Sequence, residues 1–130
     1  MAKIMVVDDE KNVVELLSFI FQKQGHEIIE AYNGNEALEK LGILPQQPLN
    51  IPVIPDIVIL DVMMPGTDGY TVQNKMLEND PTKNVPIIIL TAKGQMKDLF
   101  GMASNVAAYI EKPFDPKLLQ EKVNEILRKK

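Results

Sequence analysis

Continuous aliphatic runs, rather than alternating ones, punctuate the chain: Ile4-Met5-Val6-Val7, Ile57-Val58-Ile59-Leu60 and Pro86-Ile87-Ile88-Ile89-Leu90. Such runs predict short strands covered on both faces. Glu27-Ile28-Ile29-Glu30-Ala31, which alternates loosely, and Val106-Ala107-Ala108-Tyr109-Ile110 read as two more strands. Between these runs the apolar spacing becomes helical. Lys11 to Gln24 carries Val13, Val14, Leu16, Leu17, Ile20 and Phe21, and Gly25 stands where a left-handed residue ends a helix. Asn33-Gly34-Asn35-Glu36 pairs a cap residue with a glutamate three positions on, and opens a helix that ends near Gly42 and contains the favourable pair Glu36 and Lys40. Asp68-Gly69 opens a helix to about Glu78, closed by Asn79-Asp80-Pro81. From about Gln95 to Ala103, Met96, Leu99, Phe100 and Ala103 share one face. Gly101 weakens that helix by ~1 kcal/mol relative to alanine, which marks it as the most mobile one. Asp115 as cap and Pro116 at the first helical position start the last helix, with Leu119, Val123, Ile126 and Leu127 as its inward stripe.

The stretch from Ile43 to Pro55 breaks this rhythm, because Pro45, Pro48, Pro52 and Pro55 suit neither helix nor central strand. It joins a helix end to a strand start, and so belongs at the edge of the sheet opposite the strand ends. A scaffold loop is the expectation, with partner docking as the alternative. Elsewhere five strand-helix pairs alternate strictly, which predicts an α/β fold with a parallel five-stranded sheet and helices on both faces.

A chain of 130 residues fits one domain with a core of its own, and 45% hydrophobic with 25% charged residues is an ordinary globular balance. The expectation is a single domain over residues 1–130. No apolar run approaches the roughly 18 residues of a membrane span, and Met1-Ala2-Lys3 leads straight into a strand, so a soluble, cytoplasmic chain is expected. The absence of cysteine removes disulfides, thiolate metal sites and thiol nucleophiles together. A net charge of −4 without a basic stripe argues against direct nucleic-acid binding. Arg128-Lys129-Lys130 reads instead as a helix C-terminus favoured by its dipole.

The chemistry is concentrated where the strands stop. If all five run parallel, their carboxyl ends share one edge, the edge where open α/β sheets bind ligands. Strand one delivers Asp8 and Asp9, strand three Asp61, strand four Thr91 and strand five Lys112. Two carboxylates ~4 Å apart repel by about 4 kcal/mol at an effective dielectric of ~20, so a cation belongs among them. All-oxygen ligation by few protein groups suits Mg²⁺ or Mn²⁺. A carboxylate can attack phosphorus to give an acyl phosphate, and the metal, a lysine and a hydroxyl are the groups that neutralise the remaining oxygens.

These residues resemble the response-regulator receiver domain of two-component signalling over essentially the full chain. The matching pieces are Val6-Val7-Asp8-Asp9-Glu10, Ile59-Leu60-Asp61-Val62-Met63-Met64-Pro65-Gly66-Thr67-Asp68-Gly69, Leu90-Thr91-Ala92-Lys93 and Lys112-Pro113-Phe114. The resemblance implies a flavodoxin-like (βα)5 three-layer sandwich with strand order 2-1-3-4-5. It implies that Asp61 is the phosphoacceptor, served by a sensor histidine kinase, a phosphotransfer protein or a small donor such as acetyl phosphate. Asp9, Asp61 and the Met63 backbone carbonyl would ligate Mg²⁺, with Asp8 acting through a bound water. Thr91 would swing to the phosphoryl group and Tyr109 would turn inward behind it. That motion would switch the face made by the fourth helix, fifth strand and fifth helix for a downstream protein, an output domain or a second copy. Lys112-Pro113 is expected to be cis. Met63 and Lys93 fall at positions that tune dephosphorylation in this family. The segment Met102-Ala103-Ser104-Asn105-Val106 departs from the family's usual glycine-alanine-acid pattern, and the proline-rich insertion is longer than usual.

Taken singly, Thr91 reads as a helix cap, Lys112 as a solvated loop lysine and Tyr109 as a strand aromatic with its hydroxyl in water. Judged by mutual placement, the constellation outweighs these readings. His26, remote from Asp61, reads as a loop histidine, and Met63, Met64 and Met96 as gap fillers or partner contacts. An FMN carrier on the same fold would need a phosphate cradle where Asp8-Asp9-Glu10 repels phosphate. An aspartyl phosphohydrolase of the haloacid-dehalogenase type would need a second acid two residues after Asp61, where Met63 stands. A docking or dimerisation module independent of phosphorylation is the remaining alternative. The chain therefore reads as a phosphoacceptor and not as a turnover enzyme.

Overall fold

A computed structural model describes residues 2–43, 52–64, 66–92 and 103–129. The elements run β1 (Lys3–Val7), α1 (Lys11–Lys23), β2 (Glu27–Ala31), α2 (Gly34–Lys40), β3 (Ile57–Asp61), α3 (Gly69–Leu77), β4 (Ile87–Ala92), β5 (Val106–Lys112) and α4 (Pro116–Arg128). All neighbouring strands are parallel, in the order β2-β1-β3-β4-β5. The parallel sheet is the one the alternation predicts, and its order is the flavodoxin-like one that the resemblance implies. The helix expected from about Gln95 to Ala103 and its mobility lie outside the described residues, save Ala103, which is not helical, and so does most of the proline-rich loop.

Local chemistry accounts for the element ends. Gly25, with φ 92°, follows α1 as the left-handed residue expected there. Asn33 caps α2 by accepting the Glu36 amide at 2.7 Å. The returning bond differs from the expected capping box, since Glu36 Oε1 accepts the amide of Tyr32 at 2.7 Å rather than that of the cap residue. Asp68 caps α3 through the Thr71 amide and Asp115 caps α4 through the Lys117 amide.

The sheet buries an apolar cluster on each face. Met5, Val7, Val58, Leu60, Ile87 and Ile89 pack towards α2 and α3. Ile4, Val6, Ile57, Ile59, Ile88 and Leu90 pack towards α1 and α4 with Val14, Leu17, Phe21, Leu119 and Val123. Successive strand residues therefore go to opposite clusters, which is why these strands show no polar alternation. β4 and β5 continue two residues past the apolar runs, so Thr91 and Lys112 lie within paired strand. Between Ile87 and Ile88 the register against β5 shifts by one, from Val106 to Ala108, leaving Ala107 as an extra residue.

Candidate functional site

Strand register fixes where the polar ends meet. Val7 pairs with Leu60 and Asp61 pairs with Leu90, which brings Asp8, Asp61 and Thr91 to the carboxyl edge of three adjacent central strands. Ala92 pairs with Lys112 on the outer strand β5. The Lys112-Pro113 peptide is cis, as expected.

Asp8 is fully buried, Asp61 is 4% exposed and Asp9 lies at the surface. One carboxylate oxygen from each of the three falls within 4.8 Å of the others. Asp8 Oδ1 accepts the Glu10 amide at 2.9 Å, and Asp61 Oδ1 accepts the Met63 amide at 3.3 Å. Asp8 Oδ2 has no directed hydrogen bond. The Lys112 ammonium faces that oxygen at 3.0 Å as an ion pair, lies 3.0 Å from Glu10 Oε1 and stands 3.6 Å from Asp61 Oδ1.

Electrostatics follow from this packing. Burial pushes the Asp61 carboxyl up, the Asp8 charge adds to the rise, Lys112 and the Met63 amide oppose it, and Asp9 raises it slightly further, leaving a value of about 7. Burial lowers the Lys112 ammonium, but the carboxylates of Glu10, Asp8 and Asp61 outweigh it and hold it above the usual lysine range. Three converging acid oxygens with one ammonium shared among Asp8, Glu10 and Asp61, and a carboxyl that resists ionisation, describe a cluster short of positive charge. A small hard divalent cation fits this donor set.

Gly69, the first residue of α3, packs against the end of β3 so closely that a Cβ there would run into the Asp61 carbonyl. Thr91 is buried at the end of β4, and its hydroxyl reaches the Ala92 carbonyl only weakly, at 3.4 Å. Tyr109 is half-buried against the α2/α3-side cluster with its hydroxyl shielded from water, unlike a strand aromatic with a wet tip. Met63 is 58% exposed beside Asp61. Lys93 and Met96 lie outside the described residues. His26 is more engaged than a loop histidine, because its Nδ1 accepts the Ala2 amide at 3.1 Å and its ring stands beside Phe21.

Two sets of residues escape a reading of sequence pattern. Glu10 looks like one more acid after β1, yet it holds Lys112 across 102 positions of chain. Gln73 and Asn105 are buried and bonded, Gln73 Nε2 donating to Asn105 Oδ1 at 2.9 Å and Asn105 Nδ2 to the Gln73 carbonyl at 3.2 Å. The only signal for that pair is Asn105 itself, in the segment that departs from the family pattern.

Comparison with known proteins gives the family. Residues 4–124 match the family described as response regulator receiver domain. The transcriptional regulatory protein ResD of Bacillus subtilis is 38% identical over 128 residues, covering 98% of this chain and 48% of that protein. The chain spans about half the length of the curated relatives it matches. Among solved structures, the response regulator TrrA of Thermotoga maritima in complex with Mg²⁺-BeF is 36% identical with a TM-score of 0.76, covering 97% of this chain and 99% of that one. The chemotaxis response regulator CheY4 of Vibrio cholerae is 28% identical with a TM-score of 0.82, covering 97% and 98%. With its sheet order, its acidic edge and this match over nearly its whole length, the chain belongs to the response-regulator receiver domains of two-component signalling.

Proposed function

We propose that Asp61 is the phosphoacceptor of this receiver and that transfer to it depends on Mg²⁺. The observation that carries the reading is the convergence of Asp8, Asp9 and Asp61, one oxygen of each within 4.8 Å of the others, with Lys112 beside Asp8 and Asp61. Asp9, Asp61 and the Met63 carbonyl would hold the metal, with Asp8 supporting it through water; Mn²⁺ suits the same donors. When bound, the metal supplies positive charge to the carboxylates and to phosphoryl oxygens.

An Asp61 oxygen attacks phosphorus, and the bond from phosphorus to the donor, an imidazole nitrogen of a phosphohistidine or an acetate oxygen of acetyl phosphate, breaks with its electron pair going to the donor. Charge neutralisation carries the step: Lys112 takes one phosphoryl oxygen and the Thr91 hydroxyl another. Tyr109, already turned from solvent, follows Thr91 and couples the site to the surface beside β5 and α4. The donor partner is a sensor histidine kinase or phosphotransfer protein. The reader is a downstream protein, an output domain or a second copy.

The curated relatives RpaA, a DNA-binding regulator by name, and ResD, a transcriptional regulator by name, are about twice the length of this chain. A regulator of that kind, carrying its output outside this segment, is the context that suits the chain best. Among the described residues no helix is long and apolar enough to cross a membrane, which accords with a cytoplasmic working place.

Acetyl phosphate with Mg²⁺ is expected to add one phosphoryl mass to the wild-type chain and none to Asp61→Asn, read by intact-mass spectrometry. A wild-type chain that gains no mass would leave the phosphorylation-independent docking module as the better reading.

A further inference from the structure

Glu10 is the one member of the lysine's acidic surroundings that the proposed chemistry leaves unused. Its backbone is fully engaged: the amide donates to Asp8 Oδ1, and the carbonyl accepts the amides of Val13 and Val14 at the start of α1. Its side chain occupies the N-cap position yet makes no cap hydrogen bond, and reaches instead to Lys112. A cap residue normally spends its side chain on the first helical amides, so this one is committed elsewhere.

The distances show what that commitment does. The Lys112 ammonium sits 3.0 Å from Glu10 Oε1 and 3.0 Å from Asp8 Oδ2, but 3.6 Å from Asp61 Oδ1. Its longest carboxylate contact is with the phosphoacceptor. An ammonium has three donors, and a phosphoryl oxygen arriving at Asp61 needs at least one of them. Asp8 is fully buried and cannot be left without its counterion cheaply, whereas the Glu10 side chain is 62% exposed and can return to water.

We infer that Glu10 is a positioning residue that holds Lys112 back from the phosphoryl site in the resting chain and releases it when the phosphoryl group arrives. This rests on Asp61 being the phosphoacceptor. Glu10 thus slows phosphorylation through a contact that is broken during the reaction. Because its backbone is pinned, the side chain swings without disturbing β1 or α1.

The contact is separable from the charge. Glu10→Gln removes the charge, and Glu10→Asp keeps it but is one methylene too short to hold the ammonium. Mass gain from acetyl phosphate and Mg²⁺ is followed in the wild type and both variants at about 0.1 M and about 1 M potassium chloride, the second screening through-space repulsion. Both variants are expected to react about two- to fivefold faster than wild type, the range of a partly exposed ion pair, and to keep that advantage in high salt. In metal-free protein with EDTA, the ¹⁵N resonance of the Lys112 ammonium is expected to move in both variants. Equal rates in all three chains overturn the inference, as does acceleration by Glu10→Gln alone that disappears in high salt, or an unmoved ammonium resonance. If the wild type gains no mass at all, the phosphoacceptor reading fails and takes this one with it; if only the variants fail to differ, the phosphoacceptor reading stands.

Discussion

Asp61 is built against its own ionisation. Its carboxyl is raised from 3.8 to about 7 by burial and by Asp8, which means the folded chain holds a proton there that the unfolded chain has given up by about pH 5. A raised folded value stabilises below the unfolded pKa, and this contribution is lost as pH climbs from about 4 through about 7. Above that range the ionised Asp61 costs on the order of 2–4 kcal/mol in the absence of metal. Asp61→Asn is therefore expected to raise the melting temperature of metal-free protein at about pH 8 while changing little near pH 4, measured by circular dichroism in EDTA. Mg²⁺ bound as proposed would supply the missing charge, so millimolar Mg²⁺ is expected to raise the wild-type melting temperature and to leave Asp61→Asn nearly unmoved. A residue at the heart of the proposed chemistry is thus a stability liability in the resting fold of the metal-free chain.

Among the elements, two contacts hold α3 in place and each carries a test. At its start, Gly69 packs against the Asp61 carbonyl where no side chain fits. Gly69→Ala is expected to cost about 1–3 kcal/mol in a denaturant melt and to shift the backbone resonances of Asp61 and Val62, because the loop after β3 has to move. In its middle, Gln73 and Asn105 satisfy one another in a buried setting. Gln73→Leu takes the donor from Asn105 Oδ1 while Asn105 Nδ2 keeps the Gln73 main-chain carbonyl, and Asn105→Leu takes the acceptor from Gln73 Nε2; each is expected to cost about 1–3 kcal/mol, and the double substitution less than the sum in a double-mutant cycle. The spans and caps of α2, α3 and α4 were legible in the sequence because capping residues and apolar spacing are local signals, as Asn33, Asp68 and Asp115 show. The Gln73 and Asn105 pair was not, since a glutamine on a helix and an asparagine before a strand are each unremarkable until the fold brings them together.

For the molecule as a whole, the sheet divides the core into two clusters that share the same strands, residue by residue. Neither cluster can lose its packing without exposing the other side of the same backbone. One cooperative transition is the expected outcome: Leu60→Ala on one face and Leu17→Ala on the other should each lower stability by about 2–5 kcal/mol. Both should shift the far-ultraviolet and tyrosine signals together. Two separate transitions would mean that the faces are independent units. The same arrangement places Asp8, Asp9 and Asp61 at one edge of one sheet, so that a phosphoryl group on Asp61, as proposed, would meet groups from three strands.

By itself the sequence determined the strand and helix order, the parallel sheet, and the chemical types at the strand ends, because aliphatic runs, caps and the acids that follow them are contiguous signals. The residues Asp8, Asp9, Asp61, Thr91 and Lys112 could be singled out that way, and the register then brought Asp8, Asp9, Asp61 and Lys112 together with Thr91 on the strand beside Asp61. Tertiary structure alone decided that Lys112 is shared among three carboxylates, that the third is Glu10, and that Asp61 is buried deeply enough to resist ionisation. The physical reason is distance along the chain. Charge and burial at a strand end depend on which side chains the register sets across from it, and Glu10 and Lys112, 102 positions apart, carry no local mark of each other.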